Sequence, residues 1–126
     1  MDERLRILVV EDDPVYAEFI TMVLRGAGHE VAEATTGAAA RGHVVAHTPD
    51  AVILDLGLPD ESGYELARAL RTRLAGAVII LLTADLFPHL DRAESVGIDI
   101  VLSKPVEADL VTGMIDHIRA RRQRKR

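Results

Sequence analysis

The chain has 126 residues, 48% hydrophobic and 28% charged, which suits one domain with a real core. It has no cysteine, excluding disulfides and thiolate chemistry, and no apolar run near the roughly 18–20 residues that cross a bilayer. The net charge of −5 conceals nine bases against twenty acids in residues 1–118, an acidic body that argues against nonspecific nucleic-acid binding. Lacking the basic-then-apolar start of a signal peptide, the chain reads as cytoplasmic.

A first strand is predicted over 5–10, its apolar run flowing into Glu11, Asp12 and Asp13. Pro14 suits the first position of a helix over 14–26, with Val15, Phe19, Val23 and Leu24 expected on the inner face and Gly26 and Gly28 ending it. A weaker strand follows at 30–34, then an alanine-rich helix at 37–47 with Val44 and Val45 expected inward. Thr48-Pro49 breaks the chain before the central strand, 51–55, four apolar residues closed by Asp55. A turn-rich loop leads to a helix over about 63–74 that should bury Leu66, Ala67, Leu70 and Leu74. The fourth strand is placed at 77–82. A short helix at about 88–96 follows, with one leucine and one valine at core positions, ended by Gly97 in a left-handed cap. A fifth strand lies at 99–102, and the last helix begins after Pro105 with Val106, Leu110, Met114 and Ile118 spaced by four. Strand and helix alternate five times, which calls for a parallel sheet with helices on both faces.

In such folds the ligand site lies beyond the carboxyl ends of the strands. There the first strand delivers Glu11, Asp12 and Asp13, the third Asp55, the fourth Thr83, and the fifth leads through Ser103 to Lys104 and Pro105. Several carboxylates, a hydroxyl and an ammonium should therefore meet. Lys104 is the single lysine before the tail of a chain that otherwise uses arginine, and a flexible point charge suits one phosphate oxygen better than a planar fork does. Asp13 reads as a charge at a helix N-terminus rather than a metal ligand. His43 and His47 have metal-ligand spacing but no third ligand on their helix, and read as a solvated face. Residues 119–126 hold six of the fifteen Lys and Arg and no acid, and read as a basic tail, a helix end or the start of a linker.

Four elements together carry a family resemblance: Val9-Val10-Glu11-Asp12, Leu54-Asp55-Leu56-Gly57-Leu58-Pro59 with Gly63, Leu82-Thr83-Ala84, and Ser103-Lys104-Pro105. In this order and spacing the chain resembles the receiver domain of bacterial two-component response regulators over residues 5–118. The resemblance implies a flavodoxin-like, doubly wound five-stranded parallel sheet of order 2-1-3-4-5 with five helices. It implies that Asp55 accepts a phosphoryl group from a phosphohistidine of a histidine kinase or histidine phosphotransfer protein, and that Thr83 and Lys104 contact that group. It implies Mg²⁺ on Asp12, Asp55 and the Gly57 carbonyl, with Glu11 acting largely through water. An effector domain or a second copy is the implied output partner, and no membrane is involved. Such a domain assists its own phosphorylation and hydrolysis but is a switch rather than an enzyme.

Where receivers commonly carry Tyr or Phe, this chain has Val101, so no large side chain can swing there; Phe87 is the candidate substitute. The rival reading is a receiver fold used as an interaction or dimerisation module without phosphorylation. An aspartyl phosphatase is disfavoured because Gly57 stands where a second acid is expected, and a flavin site because Glu11-Asp12-Asp13 would repel a phosphate.

Overall fold

The computed structural model describes residues 4–85 and 90–124, apart from the Gln123 side chain. Ten elements alternate: β1 (Arg6–Val10), α1 (Pro14–Gly26), β2 (Glu30–Ala34), α2 (Gly37–Ala46), β3 (Ala51–Asp55), α3 (Gly63–Arg73), β4 (Val78–Thr83), α4 (Leu90–Ser95), β5 (Ile100–Ser103) and α5 (Ala108–Arg124). All four strand pairings are parallel, as the alternation of strand and helix predicts, and the order β2-β1-β3-β4-β5 is the one the family resemblance implies.

Continuous apolar strands suit a sheet covered on both faces, and the pleat sorts them into two cores. Leu8, Val10, Val52, Leu54, Ile79 and Leu81 pack with Ala40 and Val44 of α2 and Leu66, Ala67 and Leu70 of α3. Their alternating neighbours Ile7, Val9, Ile53, Ile80 and Leu82 pack with Ile20 and Leu24 of α1 and Val111, Ile115 and Ile118 of α5. Side-chain caps start three helices. Asp13 accepts from the Val15 N–H (3.1 Å), Thr36 from Ala39 (3.0 Å) and Ser62 from Tyr64 (3.2 Å). Asp13 is thus an N-cap, and Gly28 (φ 92°) and Gly97 (φ 88°) make the left-handed turns after α1 and α4.

The α3 residues expected inside are buried, but four helix-face expectations are overturned. Val15 is 76% exposed, Val45 66%, Leu110 51% and Leu90 of α4 61%. At about 100° per residue, Val15 lies half a turn from Leu24, so both cannot face the sheet. The inner stripe of α1 is Ala17, Ile20, Thr21 and Leu24. Val45 and Leu110 each sit one residue from the true inward position, Val44 and Val111. α4 anchors through Ala93 instead. Phe87 and the expected helix start at Pro88 lie outside the described residues. α5 continues through Arg124, with Arg119 paired to Asp116 (3.0 Å) and Arg122 to Asp50 (2.9 Å).

Away from the acidic edge, Arg71 closes the opposite end of the sheet. Its guanidinium donates to the carbonyls of Leu74, Ala77 and Gly97 and to Asp99 Oδ2, which also accepts the Ile79 N–H. That joins the end of α3, the start of β4 and the turn before β5.

His29, to which the sequence assigned no role, is buried, and its Nδ1 accepts the Leu5 N–H at 3.1 Å. Burial, and then the Arg119 charge, push its pKa below the ordinary histidine value against the opposing Asp116. Protonating Nδ1 would set a donor against a donor. Stability is therefore complete above the unfolded-state value near 6.5 and falls as pH drops below it, by up to about 1.4 kcal/mol per unit until the folded value is reached. Urea unfolding at pH 7.5 and 5.5 should show this slope, and His29→Gln should flatten it. An unchanged slope in the variant rules His29 out as its source.

Candidate functional site

The site residues follow strand ends, and at three of these ends one further backbone hydrogen bond extends the pairing. The Glu11 N–H donates to Ala34 (3.0 Å), Leu56 to Leu82 (3.0 Å) and Lys104 to Thr83 (2.8 Å), so the chain leaves β1, β3 and β5 in register at one edge. Parallel pairing sets Val10 beside Leu54 and Asp55 beside Leu82. Residues far apart in sequence arrive together there.

Glu11, Asp12 and Asp55 each offer a carboxylate oxygen within 4.8 Å of the others. Lys104 Nζ lies 2.6 Å from Glu11 Oε1 and 3.2 Å from Asp55 Oδ1. The Glu11 side chain is 1% exposed and its Oε2 faces the Asp13 N–H at 3.4 Å, so both its oxygens are engaged. Asp12 is exposed. Gly57 passes beside Asp55: a Cβ there would sit 3.9 Å from Asp55 Oδ2. Thr83 is buried and reaches the edge through register, one residue beyond Leu82. Its hydroxyl accepts the Asp85 N–H at 3.0 Å, which leaves its own proton to donate.

The electrostatics follow from two carboxylates, Glu11 and Asp55, sharing one ammonium with Asp12 close by. Burial first, then the Asp55 charge, raise the Glu11 pKa despite the pull of Lys104. Burial alone would lower the Lys104 pKa, but the Glu11 hydrogen bond and the Asp55 and Glu11 charges outweigh it, and the value is raised. The ammonium therefore stays charged and the pocket keeps a negative excess. Its donors are all carboxylate oxygens, with no histidine or sulfur among them. That set fits a hard divalent cation such as Mg²⁺ better than a softer transition metal.

Around this centre, the loop after β3 is tied to α2. Asp60 accepts the Gly37 and Ala38 N–H groups (2.8 and 3.0 Å), which hold its carboxyl below the usual range, and Glu61 receives both arms of Arg41 (3.0 and 2.6 Å). Val101 is half-buried against the α2–α3 core. His43 and His47 stack their rings at 4.4 Å, half-buried and exposed respectively, and do not join the acidic cluster.

One neighbour was missed from the sequence. Lys104 Nζ stands 4.5 Å above the ring of Tyr16, whose hydroxyl accepts the Val106 N–H at 2.8 Å. The available signal was direction: Cβ bonds on a helix lean toward its N-terminus, so a residue on the first turn of α1 reaches back to the acidic edge.

The sequence matches the response regulator receiver domain family over residues 7–116. Among curated proteins, it is 47% identical to the DNA-binding response regulator MtrA of Mycolicibacterium smegmatis over 81 residues, covering 64% of this chain and 35% of that protein. It is 37% identical to the transcriptional regulatory protein KdpE of Mycobacterium tuberculosis over 103 residues, covering 82% and 46%. The chain spans about a third to a half of the length of these relatives. Among solved structures, the receiver domain of the sensor histidine kinase PA1611 from Pseudomonas aeruginosa PAO1 has a magnesium ion coordinated in its active-site cleft. It is similar at a TM-score of 0.82 and 27% identity, covering 93% of this chain and 98% of that one. A match that begins in β1 and runs into α5, on a sheet wound in this order, is decisive: the chain belongs to the response regulator receiver domains, the switches of two-component signalling.

Proposed function

We propose that this chain accepts a phosphoryl group on Asp55 from a phosphohistidine of a histidine kinase or histidine phosphotransfer protein, with the help of Mg²⁺. The observation that carries this reading is the meeting of Asp55 with Glu11, Asp12 and Lys104 in one pocket at the carboxyl edge. A carboxylate oxygen of Asp55 forms the new O–P bond as the P–N bond breaks, and the imidazole leaves with the bonding pair. Lys104 and the Thr83 hydroxyl then donate to phosphoryl oxygens. Asp12, Asp55 and the Gly57 carbonyl would hold the metal; Glu11, with both oxygens already engaged, is suited to an indirect part. Bound there, Mg²⁺ neutralises charge on the transferring group and orients it.

Switching follows from exchange of partners. Lys104 must turn from Glu11 and Asp55 toward the phosphoryl oxygens, and the surface state that favours those new contacts gains population. With Val101 at the customary aromatic position, the readout here does not run through a swinging ring on β5. The receiver body is proposed to span residues 1–118, with 119–126 a basic tail or linker start in which α5 continues through Arg124. The site of action is the cytoplasm, and DNA is not a ligand of this acidic body.

Incubation with a small phosphodonor and Mg²⁺, followed by intact-mass measurement, tests the assignment. The parent should gain one phosphoryl group, while Asp55→Asn, or the parent with chelator, gains none. Labelling that persists in the Asn variant moves the acceptor elsewhere. A parent that never labels favours the interaction-module reading.

A further inference from the structure

We propose that Tyr16 is a positioning residue for Lys104, a role that rests on the reading of Asp55 as phosphoacceptor. Three contacts fix the loop that carries the lysine. The Lys104 N–H is bonded to Thr83 at the end of β4 (2.8 Å), the ammonium stands over the Tyr16 ring (4.5 Å), and the Val106 N–H is bonded to the Tyr16 hydroxyl (2.8 Å). Tyr16 is itself held edge-on by Phe19, with centroids 6.1 Å apart and planes at 64°. One side chain on the first turn of α1 thus grips both the charge and the backbone of a loop 90 residues away.

The chemistry explains why a ring serves here. A third carboxylate beside Lys104 would compete with an incoming phosphoryl oxygen for its N–H groups. An aromatic face attracts the cation through its quadrupole and takes none of those donors. As the ammonium exchanges a carboxylate oxygen for a phosphoryl oxygen, the ring contact persists through the exchange. Tyr16 is then a platform on which the ammonium pivots, and its hydroxyl keeps that platform in register with the loop.

The chain has only two lysines, Lys104 and Lys125, so protein labelled with [ε-¹³C]lysine gives two signals, assigned with Lys125→Arg. In the parent, ring current should shift the Lys104 Hε signal upfield. Tyr16→Leu should abolish that shift and slow Mg²⁺-dependent uptake from a small phosphodonor about tenfold, within the range of a partly desolvated cation–π contact. Tyr16→Phe should keep the shift and hold the rate within about threefold of the parent, a rescue that a merely structural role does not predict. A folded Tyr16→Leu protein that keeps the shifted signal, or loses it at parental uptake rate, overturns the proposal. Should that variant fail to fold, Tyr16→Phe decides: faster Val106 amide exchange with the shift kept supports the grip, and unchanged exchange overturns it. A parent that shows the shifted signal yet takes up no phosphoryl group overturns the acceptor reading of Asp55, and the part of Tyr16 in transfer with it.

Discussion

Lys104→Met is expected to slow phosphoryl uptake by about 10²–10³-fold, the usual cost of deleting a preorganised charge at a developing anion. It is also expected to destabilise the metal-free protein by about 3 kcal/mol at pH 8, the low end for a buried pair that loses one partner, because it strands a buried carboxylate. Methionine keeps the length and much of the volume of the lysine stem, so the loss reports charge more than packing. Glu11 is the group left behind: its side chain is 1% exposed and Lys104 Nζ is its partner at 2.6 Å. Its pKa is already raised, by burial first and the Asp55 charge second, and Lys104 is what opposes the rise. Without the ammonium, Glu11 should bind a proton more readily in the folded than in the unfolded chain. Stability from a group raised in this way is complete below its unfolded-state value and is lost as pH rises through the folded one. The deficit of the variant against the parent should therefore be larger at pH 8 than at pH 5.5. Urea titrations of both proteins in chelator check this. An equal deficit at the two pH values would mean that Glu11 is not the stranded group.

Three carboxylates within 4.8 Å of one another repel, and the Lys104 ammonium offsets only part of that repulsion, so a hard divalent cation is the natural complement of this pocket.

The sheet was legible because β1, β3, β4 and β5 are short apolar runs that end at or just before polar residues of the candidate site, and buried parallel strands need no finer pattern; β2, with its two glutamates, was the weaker signal. Strand bounds were therefore close: 30–34 and 51–55 were read as they stand, and the remaining strands were off by a residue at one or both ends. Helix faces were harder. Val106, Leu110, Met114 and Ile118 look like one stripe, but a step of four advances about 40° beyond a full turn, so the row winds around the helix. The stripe that meets the sheet is Val111, Ile115 and Ile118, leaving Leu110 outside. Val15 failed for the same reason: nine residues before the buried Leu24, it lies half a turn away from it. Position along a strand is one-dimensional and can be read from sequence; rotation about a helix depends on which neighbour it packs against.

The candidate site divides along similar lines. Asp12, Asp55, Gly57, Thr83 and Lys104 lie at strand ends or in the loops that follow, where order along the chain already implies proximity. What sequence order did not reveal was how those groups share their charges. Glu11 is nearly sealed from solvent and gives Lys104 its shorter contact, while Asp55 is the more distant partner at 3.2 Å. Tyr16 and the Asp60–α2 and Arg41–Glu61 ties depend on helix direction and loop path, which no periodicity encodes.

Gly63→Ala is expected to cost about 3 kcal/mol of stability, at the upper end of ordinary overpacking. A Cβ at Gly63 would sit 2.6 Å from the Asp55 carbonyl oxygen, 2.8 Å from Leu56 Cα and 3.1 Å from Leu54 Cδ1. Two of these three are main-chain atoms at the end of β3, so no side-chain rotation relieves the clash. The Gly63 N–H also donates to the Leu56 carbonyl at 2.8 Å, which draws the start of α3 against that strand. A methyl group must push the helix off the strand or shift residues 54–56, and the second choice moves Asp55 relative to Glu11 and Lys104. Mg²⁺ affinity and phosphoryl uptake should then fall together with stability, although Gly63 carries no reacting atom. Gly57→Ala is the matched control, since its nearest atom would be Asp55 Oδ2 at an ordinary 3.9 Å. Its stability should stay within about 0.5 kcal/mol of the parent. Thermal unfolding in chelator, repeated across a Mg²⁺ titration, separates the two variants. Parental stability and parental Mg²⁺ affinity in Gly63→Ala would show that α3 does not press on the end of β3 as closely as this packing requires.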